Sequence, residues 1–348
     1  MNIKGIRIGI GAAVAATFAV FTQCLSHHGN ANGTSIMVEA TGKAIEMATE
    51  READNILSRC CQVMENRIQS FCDEEPGLDK AKFSIKRVND NKSIRIDFKN
   101  IELSQNQVTR VLKLLRSHGC FQFYETYRFD ELCDYFFKAN EKLAEKYDPS
   151  EIEDNDVFLL NGPLFRLLHP SFDQIAPGKL SPELNACVGT AQANDTAAIN
   201  QMLIETSNYF PRDLKFAWTV KPMVNDDNEV FELIALKLSN NKCALSGEAI
   251  KNARQEYSSY NHDPEILIEM NSEGAKEWKR ITGDNIGSQI AIVFDGYVYS
   301  YPRVICEIPN GKSYINGGSI TVEEAIDLVN IIKAGMLPVS VSVNVINK

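Results

Sequence analysis

Tryptophan occurs only twice and histidine five times in 348 residues, and no two of the nine cysteines are spaced Cys-x-x-Cys. The missing Cys-x-x-Cys excludes a zinc ribbon and a thioredoxin-type redox pair. HExxH, a Walker-type phosphate loop, GxSxG and a paired-carboxylate motif are all missing, so the sequence offers none of the short signatures of hydrolases or nucleotide enzymes. Cationic residues are also scarce. The 36 Lys and Arg stand against 46 Asp and Glu, a net charge of −10. A nucleic-acid binder needs a basic face, so nucleic acid is not an expected partner. With 20 Gly and 12 Pro the chain is neither collagenous nor low-complexity. Its 44% hydrophobic content suffices for the cores of two or three domains.

One long apolar run is present. After Lys4 and Arg7, residues 8–25 form an uncharged stretch of 18 residues. That length just spans a bilayer as a helix and is long for a signal-peptide core. Cations ahead of such a run stay in the cytoplasm, which places everything after about residue 25 on the other side, in the periplasm. An anchor, a cleaved signal and a lipid on Cys24 remain open alternatives. Small-x-small cleavage chemistry is missing just past the run, which favours a single-pass anchor in the cytoplasmic membrane. Later apolar stretches, 157–168 and 320–337, carry polar residues and prolines that a lipid-facing helix avoids. The odd number of cysteines reads most simply as buried free thiols.

The remaining chain has a repeating rhythm. Residues 35–40 alternate as a strand, and 43–71 carry apolar residues at helical spacing. Strands are expected at 82–88 and 93–98, joined by a turn at Asp90-Asn91. Ser104 and Gln107 form a capping box that opens a second helix, and 120–124 is the next strand. This strand–helix–strand–strand–helix–strand order is that of a ferredoxin-like βαββαβ module. A second α+β module follows near the C-terminus. It has a strand at 266–270, a helix capped by Asn271 or Ser272, a hairpin across Asp295-Gly296, a short strand at 313–315 bounded by turns at Asn310-Gly311 and Asn316–Gly318, a capping box at Thr321/Glu324, and a closing strand at 339–345. Between the modules lie a helix at 131–146, an acidic loop at 148–156, a helix at 195–207, and paired strands at 213–221 and 230–238 around Asn225–Asn228. The expected organisation is α+β: 1–30 anchor or signal, 31–127 ferredoxin-like base, 128–243 connecting insertion, 244–348 head.

Five segments carry a family resemblance. Residues 244–254 (ALSGEAIKNAR), Asn271-Ser-Glu-Gly-Ala, residues 290–302 (IAIVFDGYVYSYP), residues 315–325 (INGGSITVEEA) and Lys333-Ala-Gly-Met-Leu-Pro338 occur in this order. Together they resemble the first extracytoplasmic domain of the SecD/SecDF protein translocase family. Residues 34–127, with Asn66-Arg-Ile and the strand FQFYETY, are similar to the base of that domain. Residues 128–210 resemble more weakly the enlarged version in fused SecD–SecF proteins of Bacteroidetes-like bacteria. The resemblance implies an export role with exported unfolded polypeptides, the Sec channel and a SecF-like subunit as partners. The swing of the head is expected near Tyr127 and Asn241. Five further membrane helices follow this domain in the family. They are missing after Lys348, so the expectation is head and base without the proton-driven motor.

No catalytic, cofactor-binding or metal-binding residue stands out. Two aromatic groups are the candidates for gripping polypeptide. Phe129 and Phe136 lie in an aromatic-rich stretch from Phe121 to Phe137, and Tyr297, Tyr299 and Tyr301 alternate along one strand. Core packing is the competing reading for both. His27 and His28 read as a linker, and Asp295 as a turn residue. Two further functions are kept open: a scaffold subunit that has lost transport, and a hydrolase in which Cys187 or Cys133 meets a histidine.

Overall fold

The computed structural model describes residues 33–88, 93–99, 101–146, 162–177, 179–223, 229–315 and 320–346. The apolar run with Cys24, His27 and His28, the turns at Asp90-Asn91, Asn225–Asn228 and Asn316–Gly318, and the acidic loop at 148–156 lie outside these residues. Among the described residues, no helix is long and apolar enough to cross a membrane. The chain is mixed α+β and divides into two compact units, each built from separated stretches.

One unit comprises 33–120, 250–269 and 313–346. Its four-stranded antiparallel sheet runs, edge to edge, Ser340–Ile346, Ser35–Thr41, Ser93–Lys99, Lys82–Val88. Alternation decides the faces. Ile36, Val38, Ile94, Ile96 and Phe98 are buried, while the residues between them are polar. Helix Glu50–Glu74 covers the buried face: Arg87, which points to that face opposite Ile94, pairs with Asp54 of the helix. A three-stranded sheet orders Ile250–Tyr257, Pro264–Met270 and Lys312–Ile315.

Two sequence expectations are corrected here. The strand Phe121–Thr126 was expected to finish the base sheet. It joins the other unit, and its place beside Ser35–Thr41 is taken by the C-terminal strand Ser340–Ile346. The helix expected over 43–71 is two helices, Lys43–Glu46 and Glu50–Glu74. Thr49 starts the second with a capping box: Glu52 N–H donates to its hydroxyl, and the Glu52 carboxylate accepts from the Thr49 N–H at 2.9 Å.

The other unit comprises 121–249 and 270–312. Its main sheet orders Tyr297–Ser300, Ile290–Phe294, Phe121–Thr126, Val230–Lys237, Cys187–Gln192 and His169–Pro170, with Leu214–Trp218 also on Val230–Lys237 and Leu245–Ser246 on Phe121–Thr126. Phe121–Thr126 alternates hardly at all in burial, as a central strand covered on both faces requires. Helix Ser272–Asp284 sets Trp278 against Phe123, ring centroids 4.9 Å apart. Helices Phe129–Ala144 and Thr196–Glu205 close an aromatic core with Phe165, Phe210, Phe216 and Trp218. A separate hairpin pairs Phe172–Ala176 with Lys179–Pro182.

Candidate polypeptide-binding surface

Phe129 and Phe136 are fully buried. Their rings stack edge-to-face at 6.0 Å, and Phe136 also meets Phe210 and Phe216. They form core, so the sequence-based suggestion that they grip polypeptide is corrected: neither ring reaches solvent. The core reading of the aromatic stretch is the one this geometry supports.

The tyrosines are half-buried. Asp295 (φ 48°) and Gly296 (φ 90°) are both left-handed, the type I′ turn that Asp-Gly favours between two strands. A register shift between Ile292 and Val293 then breaks the regular alternation of the hairpin. Tyr297 packs against the aromatic core. Tyr299 stands edge-on to Phe294 at 5.6 Å. Tyr301 packs on the cluster around Tyr124 and Ile234, and its hydroxyl donates to Glu232. The three do not form one shared stripe. The hairpin's outer edge is also occupied at Val298, whose carbonyl accepts from Val220 N–H at 2.9 Å.

Exposed aliphatic surface lies beside this hairpin. Gly287 N–H donates to Val304 O, and Val304 N–H to Ser288 O, both at 2.8 Å. The Arg303 guanidinium donates to Gly287 O and, at 3.4 Å, to Leu184 O. One arginine thus ties three loops together. On them Leu184, Ile286 and Ile305 are 59%, 57% and 87% exposed. Sequence reading missed all three, because single aliphatic residues in loops have no periodicity. The only hint was a Val-Ile-Cys-Glu-Ile stretch after Pro302 with no regular element assigned to it.

The connections at which a swing was expected both fall inside this unit. Tyr127 is held there by its hydroxyl donating to Asp213 at 2.8 Å, with Lys237 over its ring at 4.6 Å. Asn240 and Asn241 form a left-handed turn (φ 50° and 62°).

Nucleophilic chemistry finds little support. Cys187 exchanges hydrogen bonds with Ser171 Oγ and Gly189 O, each at 3.4 Å. Burial pushes its thiol up to about 12, and that of Cys133 to about 11. A nucleophilic cysteine needs the opposite shift. Among the described residues, no group of three or more His, Cys, Asp or Glu is arranged to hold a metal.

The family model of the SecDF P1 head subdomain matches residues 225–339. Protein translocase subunit SecD of Rhodothermus marinus is 38% identical over 159 residues, covering 44% of this chain and 25% of that protein. SecD of Sebaldella termitidis is 39% identical over 131 residues, 34% of this chain and 32% of that protein. The chain thus spans between a quarter and a third of the length of these relatives. A solved structure of SecDF, described as a membrane component that enhances protein export, is 21% identical with a TM-score of 0.46, covering 90% of this chain and 99% of the other.

Proposed function

Since residues 225–339 are a SecDF P1 head subdomain, we propose that this chain is a SecD-like extracytoplasmic domain that assists protein export by non-enzymatic binding of unfolded polypeptide. The observation that carries the reading is the clamped loop cluster: Leu184, Ile286 and Ile305 stay exposed on loops fixed by Arg303. Fixed apolar side chains lose little entropy when an extended chain lies across them. The relatives named above are translocase subunits, which supports exported polypeptide as the ligand and the Sec channel and a SecF-like subunit as neighbours. The sheet order 340–346, 35–41, 93–99, 82–88 supports a ferredoxin-like base whose last strand comes from the end of the chain. The apolar run at 8–25 supports a single-pass anchor holding the domain on the periplasmic side.

The test is binding of the full chain to a fluorescent, reductively unfolded secretory protein, with the folded protein as control. Saturable binding of the unfolded form alone supports the reading. Equal affinity for both forms, or none for either, ends it. In that event a scaffold role without polypeptide binding is the reading left.

A further inference from the structure

The polar face of the four-stranded sheet is basic, in a chain with a net charge of −10. Lys82 lies directly opposite Lys99, and Lys86 directly opposite Arg95, so all four side chains share this face. Like charges facing each other across a strand pair are unfavourable. Two such pairs on adjacent strands are a cost that folding does not explain. Arg95 is partly neutralised by Asp97 on its own strand, 2.9 Å away. Among the described residues Lys82, Lys86 and Lys99 have no ion-pair partner, and all three are exposed. Glu39 is the other carboxylate that the strands place on this face.

Lysines on edge strands commonly guard against edge-to-edge pairing, and this accounts for Lys82 and Lys86. It does not account for Arg95 and Lys99, because the strand Ser93–Lys99 is flanked on both sides. The position of the basic rows points to the ligand. Ser35 pairs with Asp97, so the Lys82–Lys99 row lies at the end of the sheet where the chain arrives from residues 8–25. Ten residues separate Leu25 from Ser35, a reach of about 33 Å at most. A membrane-inserted run at 8–25 therefore keeps these lysines within reach of lipid phosphates.

We propose that the Lys82/Lys86/Arg95/Lys99 face docks onto anionic phospholipid headgroups and so orients the base on the membrane surface. This rests on the membrane reading of residues 8–25 and is independent of polypeptide binding by the loop cluster. The experiment uses the full chain and vesicles of phosphatidylcholine with or without 30% phosphatidylglycerol, scoring the ratio of the two binding constants by flotation. The apolar run contributes equally to both and cancels. The wild-type ratio should favour anionic vesicles and fall toward one as salt rises. Each lysine changed to Gln should lower it about fivefold. The charge reversal K82E/K86E/K99E should abolish the preference without changing the thermal unfolding midpoint. A wild-type ratio near one, or a ratio untouched by these substitutions, overturns the proposal. Binding to soluble polyglutamate with no vesicle preference also overturns it, in favour of an acidic protein partner.

Discussion

The buried guanidinium of Arg67 donates from Nη2 to the carbonyl of Gly335 at 2.8 Å, across 268 positions of sequence. Its Nη1 donates to Leu114 O and Ser117 O at 2.8 and 2.6 Å. Ser117 and Gly335 are the C-caps of helices Gln105–Arg116 and Val322–Ala334. One cation thus satisfies the last carbonyls of two helices, where the helix dipoles also favour positive charge. Arg67→Met should leave these carbonyls buried and unpaired and cost about 3 kcal/mol. Arg67→Lys should recover part of this, since an ammonium cannot span both helix ends. Urea unfolding of the two variants checks the order; equal losses would refute the bridging role.

Gly119 sits against the same guanidinium. Its φ is +82°, and an added Cβ would lie 2.6 Å from Arg67 Nη2 and 3.0 Å from Gly335 O. Gly119→Ala should therefore cost more than the 1–2 kcal/mol of a left-handed alanine alone, by about 1 kcal/mol. In the Arg67→Met background that excess should shrink, because the clashing atom is gone. A double-mutant cycle on unfolding free energies measures this. Additive losses would mean that the two residues are not coupled.

Arg110 bridges Glu75 and Asp327, with the Asp327 bond at 2.7 Å and all three side chains at most 14% exposed. Burial raises the Asp327 carboxyl against the lowering effect of Arg110. Arg110→Met leaves two carboxylates without their cation and should cost about 3 kcal/mol at pH 7. Asp327→Asn leaves Arg110 paired with Glu75 and should cost less. The folded-state pKa of Asp327 is raised, so this group favours the fold more as the pH falls toward its titration. The loss in Arg110→Met should accordingly be smaller at pH 5 than at pH 7, as denaturant midpoints at the two pH values would reveal.

Alkaline pH should act through two tyrosines. Burial, together with hydrogen bonds to Asp213 and Glu232, raises the phenols of Tyr127 and Tyr301 above their usual value of 10. Below pH 10 both folded and unfolded states hold these protons. Above it, only the unfolded chain releases them, so stability should fall by up to about 1.4 kcal/mol per pH unit for each tyrosine. Tyr301→Phe should remove one part of that slope while lowering stability modestly at pH 8. Urea midpoints between pH 8 and 11 test this, and a slope unchanged by the substitution would assign the alkaline loss elsewhere.

Local chemistry was legible in the sequence, and distant pairing was not. The capping boxes at Ser104/Gln107 and Thr321/Glu324 and the Asp295-Gly296 turn are decided within four residues, and all are present. The box at Thr49/Glu52 was equally local, but it was overlooked inside a longer apolar periodicity. Whether Phe121–Thr126 or Ser340–Ile346 lies beside Ser35–Thr41 depends on partners more than 200 residues apart. Both candidates are short strand-forming runs that sequence order cannot rank. The strand Ile250–Tyr257 escaped notice because its exposed Lys251, Asn252 and Arg254 give it no apolar alternation. For the binding surface, alternation put three tyrosines on one face, and the register shift at Ile292/Val293 dispersed their contacts.

The loop cluster gives the sharpest test of function. Ile305 is 87% exposed, so Ile305→Asp removes no core contact and should change stability by less than about 0.5 kcal/mol. If unfolded polypeptide lies across Ile305, the same change puts a charge where apolar surface must be buried, and affinity should fall at least about tenfold. Met47, 82% exposed in the other unit, supplies the control: Met47→Asp adds the same charge and should leave affinity unchanged. Arg303→Ala should lie between them, because it frees the loops that carry Leu184 and Ile286 without altering either side chain. Its loss should appear as a larger entropic penalty in titration calorimetry. If Ile305→Asp and Met47→Asp bind alike, the cluster is ordinary surface and polypeptide capture belongs elsewhere on the chain.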